Sequence, residues 1–252
     1  MYNILNTTII ASTKLNRQPW NEFLLSVFGG IMISFGCLGL IFIKSDTPMF
    51  SSISAFLSGI IFSIGLYSVF RLRLELFASN VVVYAVVLEK RASFSKFLKL
   101  LCLNLIGNVV GCFIVSLLFI PCNLSYIHTL QSIAQTKACI PPLVMFFRSV
   151  LCGMIFVVFT IIHQGSTKSS SKFLAALCIS ILLVACSLEF STSNAFFMLT
   201  GLLCNVQAPT PMITQGFVSF IFSVIGNLFG GLIVSSLYFA VNNYNRILGE
   251  FD

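Results

Sequence analysis

Two short stretches of the sequence place the same polar residues in apolar surroundings. Residues 74–80 read LELFASN and residues 188–194 read LEFSTSN, with their glutamates 114 positions apart (189 − 75). A carboxylate among apolar groups needs hydrogen-bond partners, because burying a bare charge is costly. A single group of this kind is most often a buried, satisfied polar residue. Its repetition at matching positions favours two loops that line a pathway. The candidate loop-supporting residues are Glu75, Asn80, Glu189 and Asn194.

The chemistry of these residues does not extend to catalysis. The sequence contains no Ser–His–Asp arrangement, no phosphate-binding glycine loop and no Cys-x-x-Cys metal spacing. The two glutamates are explained as loop supports, so they are not interpreted as an acid–base pair. We therefore predict that the protein is not an enzyme and that it has no metal and no cofactor.

The composition predicts an integral membrane protein. Charged residues are 8% of the chain and hydrophobic residues 58%, whereas a soluble domain has about 25% charged residues. The runs 23–43, 47–70 and 100–136 contain no Asp, Glu, Lys or Arg, and about 20 apolar residues cross a bilayer as a helix. The net charge of +7 comes from basic residues in short segments between the runs, so we predict contact with the lipid bilayer and no nucleic-acid partner.

The apolar runs divide the chain into six predicted spans, and the second and fifth of them are broken by the two polar stretches. After Asn80 the residues VVVYAVVL are too few to cross a bilayer, so they are predicted to form a half-helix. Asn80 and Asn194 are expected to be the N-caps of the second half-helices. The approximate ranges of the spans are 23–43, 50–70, 97–120, 143–162, 172–204 and 216–241.

A second pair of motifs indicates an internal repeat. Residues 106–111 read IGNVVG and residues 225–230 read IGNLFG, with their first glycines 119 positions apart (226 − 107). Each repeat holds three spans, and because three is odd the second repeat must cross in the opposite direction. The glycine pairs are interpreted as close helix-packing positions. We predict one domain over 1–252, with inverted three-helix repeats at about 20–121 and about 141–242.

The distribution of Lys and Arg predicts the orientation. With the N-terminus in the cytoplasm, nine basic residues fall on the cytoplasmic side and two, Lys44 and Lys137, on the other side. Both termini are therefore predicted to be cytoplasmic, with tails at 1–18 and 243–252. The nine residues are Lys14, Arg17, Lys90, Arg91, Lys96, Lys99, Lys168, Lys172 and Arg246.

The repeated motifs resemble the formate/nitrite transporter family of pentameric anion channels. The resemblance is carried by LELFASN, KRASFSKFLKLLCLNLIGNVVG, LEFSTSN and VIGNLFGG, and it covers residues from about 19 to about 241. It implies an aquaporin-like fold of six transmembrane helices, one pore in each subunit and a homopentamer in the cell membrane. It also implies a channel or transporter for small monovalent weak-acid anions such as formate, nitrite, hydrosulfide, acetate or lactate, which could cross as the neutral acid.

The resemblance also implies positions for the pore. Leu76 and Phe77 match a constriction on the cytoplasmic side, and Leu183 matches a usually aromatic position at the outer constriction. Phe62 and Leu66 match apolar pore positions on the preceding half-helix. The implied pore-lining set is Phe62, Leu66, Leu76, Phe77, Ala78, Leu183 and Phe190.

Three positions depart from the family pattern. Phe190 stands where family members usually have a central histidine, Ala78 stands where a threonine faces that histidine, and Gly153 falls where an asparagine is usual. A central histidine can pass a proton to an anion, and Phe190 cannot. Three alternatives follow: an anion channel that relies on vestibule charge and half-helix dipoles, a pore for neutral small solutes, and a non-conducting relative with a structural or regulatory role.

Two arginines precede the first polar stretch. Arg71 and Arg73 lie four and two residues before Glu75, respectively. One interpretation is an ion pair with Glu75, because charges at membrane depth are normally paired. The other is that they raise the local concentration of anions in the vestibule.

Overall fold

The computed structural model describes residues 10–46, 51–122, 125–204 and 210–247. The described chain is helical throughout, with a short helical segment at 10–15 ahead of the nine helices that follow. A 3₁₀ turn lies inside the third of these helices, at Val81–Val83. The helices are α1 (Pro19–Asp46), α2 (Ser52–Arg71), α3 (Phe77–Leu88), α4 (Phe94–Phe119), α5 (Ile127–Ala138), α6 (Pro142–Gly165), α7 (Ser169–Ala185), α8 (Ser191–Cys204) and α9 (Thr210–Ile247).

Local sequence signals set several helix starts. The Ser51 hydroxyl accepts a hydrogen bond from the Ser54 amide at 3.0 Å at the start of α2. The Ser93 hydroxyl caps α4 in the same way through the Lys96 amide. Pro142 opens α6, where its missing N–H would have had no helical partner.

Both broken helices end in the same backbone turn. After α2, Arg73 adopts a φ of 56°, the Arg73 amide donates to the Phe70 carbonyl, and the Leu74 amide reaches the Val69 carbonyl at 2.8 Å. After α7, Ser187 adopts a φ of 50° and the Leu188 amide reaches the Leu183 carbonyl at 2.9 Å. These bonds form a Schellman motif, which usually places glycine at the left-handed position.

The breaks lie slightly earlier than the sequence predicted. The segments between the helices are 72–76 and 186–190, and α3 and α8 begin at Phe77 and Ser191. The prediction that Asn80 and Asn194 are N-caps is therefore wrong. Leu76 is the N-cap residue of α3, and Asn80 lies in the helix itself.

Two regions predicted to lack regular structure are helical. The loop between the third and fourth predicted spans contains α5, and α9 continues to Ile247, beyond the predicted end at 241. The end of the predicted N-terminal tail packs against the protein, because Ala11 is buried. Residues 248–252 of the predicted C-terminal tail lie outside the described residues.

The glycines of the IGN motifs allow close helix packing, as predicted. A Cβ added at Gly107 would lie 2.5 Å from the Ser26 Cβ on α1, and one at Gly226 would lie 2.6 Å from the Ser149 Cβ on α6. Pairs α1–α4 and α6–α9 are therefore in backbone contact. Gly153 also packs in this way, since a side chain there would overlap the Asn227 carbonyl. Gly153 is thus a helix-contact position rather than a pore position.

Five helical segments of the described chain are long and apolar enough to cross a membrane. The shorter apolar helices α3 and α7 belong to the two broken segments. The five are Pro19–Asp46, Ser52–Arg71, Phe94–Cys122, Pro142–Gly165 and Ile213–Tyr244.

Candidate functional site: two clamped loops and a cationic vestibule

Asn108 on α4 holds the first loop. Its Oδ1 accepts a hydrogen bond from the Phe77 amide at 3.0 Å, and its Nδ2 donates to the Glu75 carbonyl at 2.9 Å. The same Nδ2 donates to the Ser26 carbonyl on α1 at 2.8 Å. One buried side chain therefore satisfies backbone groups on both sides of the break, as buried polar groups require.

Asn227 on α9 holds the second loop with the same bonds. Its Oδ1 accepts from the Ser191 amide, and its Nδ2 donates to the Glu189 and Ser149 carbonyls, each at 2.9 Å. Asn108 and Asn227 are the asparagines of the two IGN motifs. Sequence reasoning used these motifs only for their glycines and missed the asparagines, although their recurrence at matching positions was the available signal.

The Glu75 carboxylate binds cationic side chains rather than the loop backbone. Its Oε2 accepts from Lys14 Nζ at 2.5 Å and from Asn80 Nδ2 at 2.9 Å, and its Oε1 accepts from Arg17 at 2.8 Å. The carboxylate is therefore held by side chains of the N-terminal segment and of α3. Burial alone would lower the pKa of Arg17, but its contacts with Glu75 and Glu22 leave that pKa above its ordinary value.

Glu22 and Asn104 extend these contacts into one buried network. Arg17 also binds Glu22 Oε2 at 2.6 Å, Asn104 Nδ2 donates to Glu22 Oε1 at 2.7 Å, and Asn80 Nδ2 donates to Asn104 Oδ1 at 2.6 Å. Two cations and two carboxylates balance, so the network has no net charge. We call these residues the first-loop network: Lys14, Arg17, Glu22, Glu75, Asn80 and Asn104.

The second loop has a smaller network. Lys137 on α5 binds Glu189 Oε2 at 2.5 Å and Asn194 Oδ1 at 2.9 Å, and it lies 5.6 Å from the centre of the Phe197 ring. Asn194 Nδ2 faces the sulfur of Met145 at 3.8 Å. Lys137, Glu189 and Asn194 form the second-loop network. Sequence reasoning used Lys14 and Lys137 only as orientation markers and missed these ion pairs.

A cavity of about 600 Å³ opens beside the second loop. Phe62, Leu183 and Phe190 are among its apolar lining residues. Its ionisable lining residues are Lys44, Lys137, Arg148 and Glu189, whose formal charges sum to +2 (3 − 1). We call this space the cationic vestibule.

Comparison with known proteins decides the family. The sequence model described as formate/nitrite transporter matches residues 3–241. The chain belongs to the formate/nitrite transporter family. Family membership and the long apolar helices make it an integral, multi-pass membrane protein of a transport family rather than an enzyme family. The resemblance inferred from the paired motifs is thereby confirmed.

Two solved structures share the fold. One, described as an FNT family ion channel, matches with a TM-score of 0.82 at 20% identity over 95% of this chain and 98% of the other. The second, described as a pentameric formate channel with formate bound, has a TM-score of 0.75 at 18% identity over 91% of this chain and 98% of the other. No curated protein sequence matches this chain.

The positions taken from the formate/nitrite transporter family are all buried. Phe62, Leu183 and Phe190 come together at the cationic vestibule. The Phe190 ring stacks on Phe156, with ring centres 4.4 Å apart and an interplanar angle of 25°. The remaining four do not line the vestibule: Leu66, Leu76, Phe77 and Ala78.

Ala78 and Thr192 occupy equivalent places in the two polar stretches of this formate/nitrite transporter family member, 114 residues apart (192 − 78). The Thr192 hydroxyl donates to Asn108 Oδ1 at 3.4 Å, a contact from the second loop to the clamp of the first. Ala78 has no hydroxyl with which to make the reciprocal contact. Thr192 therefore contacts the clamp of the first loop, but Ala78 makes no equivalent hydrogen bond to the clamp of the second loop.

Arg71 and Arg73 do not bind Glu75. Both are exposed, and among the described residues neither has a carboxylate within 4.0 Å. The Glu75 carboxylate is already occupied by Lys14 and Arg17. The ion-pair interpretation of the two arginines is therefore wrong, and their attraction of anions stays a prediction.

Proposed function

We propose that this protein is a membrane channel for small monovalent weak-acid anions of the formate, nitrite, hydrosulfide, acetate or lactate class. Its membership of the formate/nitrite transporter family supports the proposal. The relatives described as an ion channel and as a pentameric formate channel, with which it shares the fold, support a channel in a homopentamer.

The proposed architecture is a single channel domain of two inverted three-helix repeats, at about 20–121 and about 141–242, with both termini in the cytoplasm of the cell membrane. The equivalent clamps of Asn108 and Asn227 support the repeat. So do the ion pairs of Glu75 and Glu189 and the equivalent turns after α2 and α7. The bias of Lys and Arg supports the orientation.

The observation that carries the functional proposal is the charge of the cationic vestibule. Three cations and one carboxylate line it, and Lys137 already pairs with that carboxylate. A concave surface with excess positive charge concentrates anions and speeds their association, in a salt-dependent way. The vestibule therefore selects anions over cations before they reach Phe190.

We call Phe62, Leu183 and Phe190 the vestibule floor. These apolar residues determine whether a solute crosses as an anion or as a neutral acid. Phe62, Leu183 and Phe190 offer no hydrogen bonds to replace the hydration of a bare anion, whose burial is costly. The neutral acid lacks this cost, and water is the proton source because Phe190 cannot titrate. Weak acids meet both conditions. Their anions are attracted by the charge of the vestibule, and their neutral forms can cross the vestibule floor.

The test measures uptake by vesicles containing the purified protein. Formate, acetate and chloride are compared at fixed external concentration between pH 5 and 8, with empty vesicles as the control. We expect formate and acetate uptake to follow the concentration of the protonated acid, and chloride uptake to stay at the level of empty vesicles. Chloride uptake equal to that of formate would contradict the proposal.

A pore for a neutral solute is the second candidate, and the stacking of Phe190 on Phe156 favours it. An apolar centre allows hydrogen sulfide, or an acid that arrives already neutral, to cross as readily as an acid that gains its proton in the vestibule. Equal uptake of an uncharged solute of similar size and of formate would favour this candidate. No uptake of any solute would favour the non-conducting alternative.

A further inference from the structure

Arg148 is a partly buried cation of the cationic vestibule. It lies on α6, is half-buried and lines the cationic vestibule. Within the described ranges no hydrogen bond or ion pair involves its guanidinium group, and only the carboxylate of Glu189 shares the vestibule with it. A charge that is half removed from water and has no protein partner favours a ligand of opposite charge.

The other charges that line the vestibule do not neutralise the charge of Arg148. Lys137 neutralises Glu189, and Lys44 adds a further positive charge to the lining. Asp46 lies two residues beyond Lys44, but it is exposed and does not line the vestibule. The first-loop network contrasts with this arrangement, because its two cations and two carboxylates cancel.

We propose that the cationic vestibule binds a divalent oxyanion of the sulfate or hydrogen phosphate class, held by Arg148. A guanidinium group presents paired N–H donors that match two oxygens of such an anion. The net charge of +2 balances a dianion more fully than a monovalent one. Ser187 adds a hydroxyl group to the lining, whereas the Ser193 hydroxyl already donates to the Phe190 carbonyl at 2.9 Å.

The bound dianion does not pass the vestibule floor. A second negative charge raises the cost of crossing Phe62, Leu183 and Phe190, and sulfate does not become neutral at physiological pH. Sulfate therefore occupies the vestibule and competes with monovalent anions that arrive from the same side. The competition rests on the proposed channel function, whereas the binding of sulfate does not.

The first experiment measures binding without transport. Purified protein in nonionic detergent is titrated with sodium sulfate while sodium chloride keeps the ionic strength constant, and the melting temperature is recorded. We expect a saturable rise for the native protein. Arg148→Gln should raise the half-saturating sulfate concentration by about tenfold or more, since a hydrogen bond to a charged group is lost. Lys96→Gln, which removes an exposed cation of α4 that does not line the vestibule, should leave it unchanged.

Several results of this experiment would overturn the proposal. They are no saturable effect of sulfate on the native protein, an equal half-saturating concentration in Arg148→Gln, or an equal loss in Lys96→Gln. Stabilisation by added phosphatidic acid but not by sulfate would assign Arg148 to a lipid headgroup and would also overturn it. If Arg148→Gln does not assemble, Arg148→Lys provides the same comparison, with an expected shift in the same direction.

The second experiment separates this inference from the channel proposal. External sulfate should lower formate uptake by vesicles with the native protein more than by vesicles with Arg148→Gln. Equal inhibition of both would overturn the assignment to Arg148. If neither protein takes up formate, the channel proposal fails, and the detergent titration alone decides whether the vestibule binds sulfate.

Discussion

Phe190 decides how protons can reach a solute at the floor of the cationic vestibule. Its ring is buried and stacked on Phe156, and Ala78 and Thr192 are the equivalent residues at the starts of the two half-helices. Neither Phe190 nor Ala78 carries a titratable group. At the scale of single residues, the pH response of transport should therefore come from the solute and not from the protein.

The first prediction restores a titratable centre. Phe190→His combined with Ala78→Thr should add an inflection near pH 6.5, the ordinary pKa of histidine, and raise uptake of formate at neutral pH. The native protein should show no such inflection. Vesicle uptake at closely spaced pH values measures both, with Phe190→Leu as the control for altered packing. An inflection between pH 6 and 7 in the native protein would mean that another group supplies the proton.

A second prediction concerns the exposed arginines. Arg71→Gln and Arg73→Gln should each reduce anion uptake most at low ionic strength, because electrostatic attraction can speed ligand association by about tenfold or more and is screened by salt. Uptake is compared at about 0.01 and 0.15 M salt. Equal uptake by the native protein and both variants at both salt concentrations would exclude this role.

At the scale of helices and loops, the breaks are maintained by side chains from other helices. The third prediction is that Asn108→Ala and Asn227→Ala each lower stability by several kcal/mol, since each unpaired backbone group costs about 1–3 kcal/mol. The melting temperature of the purified oligomer is the measurement. Asn108→Asp keeps the acceptor for the Phe77 amide but sets a buried carboxylate oxygen against the Ser26 and Glu75 carbonyls, so its loss should be at least as large. An unchanged melting temperature in Asn108→Ala would contradict the clamp.

The fourth prediction concerns the loop carboxylates. Glu75→Leu should leave Lys14 without a carboxylate and Arg17 with Glu22 alone, and Glu189→Leu should leave Lys137 unpaired, at a cost of about 3–5 kcal/mol for a buried pair. Both variants should assemble poorly, as measured by the yield of oligomer. Glu189→Leu with Lys137→Met removes the whole pair and should recover assembly. Normal assembly and transport of Glu189→Leu alone would show that the ion pair is dispensable.

The existence of the two breaks was predictable from the sequence, but their bounds and partners were not. A glutamate inside an apolar run marks a break, whereas Arg73 and Ser187 give no glycine signal for the turns that precede it. The cations that bind Glu75 and Glu189 lie 61 and 52 residues away. Such distant pairs can be identified only in the packed structure. The same holds for the vestibule, because Lys44 and Arg148 line one cavity only after folding.

At the scale of the whole molecule, the all-helical membrane fold and the family followed from the sequence, and the inverted repeat and the orientation are still to be tested. The fifth prediction uses single cysteines on a cysteine-free background. Ser45→Cys and a retained Cys139 should react with an impermeant reagent added outside cells, and Ser93→Cys and Lys168→Cys should react only from the cytoplasm. If positions 45 and 93 react from the same side, the inverted repeat fails.

The order of the loop partners along the chain bears on how the protein is made. Lys14 and Arg17 precede Glu75, and Lys137 precedes Glu189. During synthesis from the N-terminus, each loop carboxylate therefore leaves the ribosome after the cation that binds it. Asn108 and Asn227 follow their loops, so each clamp closes only when the last helix of its repeat has emerged. Each half of the protein can thus be completed in turn, without holding an unpaired carboxylate in the lipid.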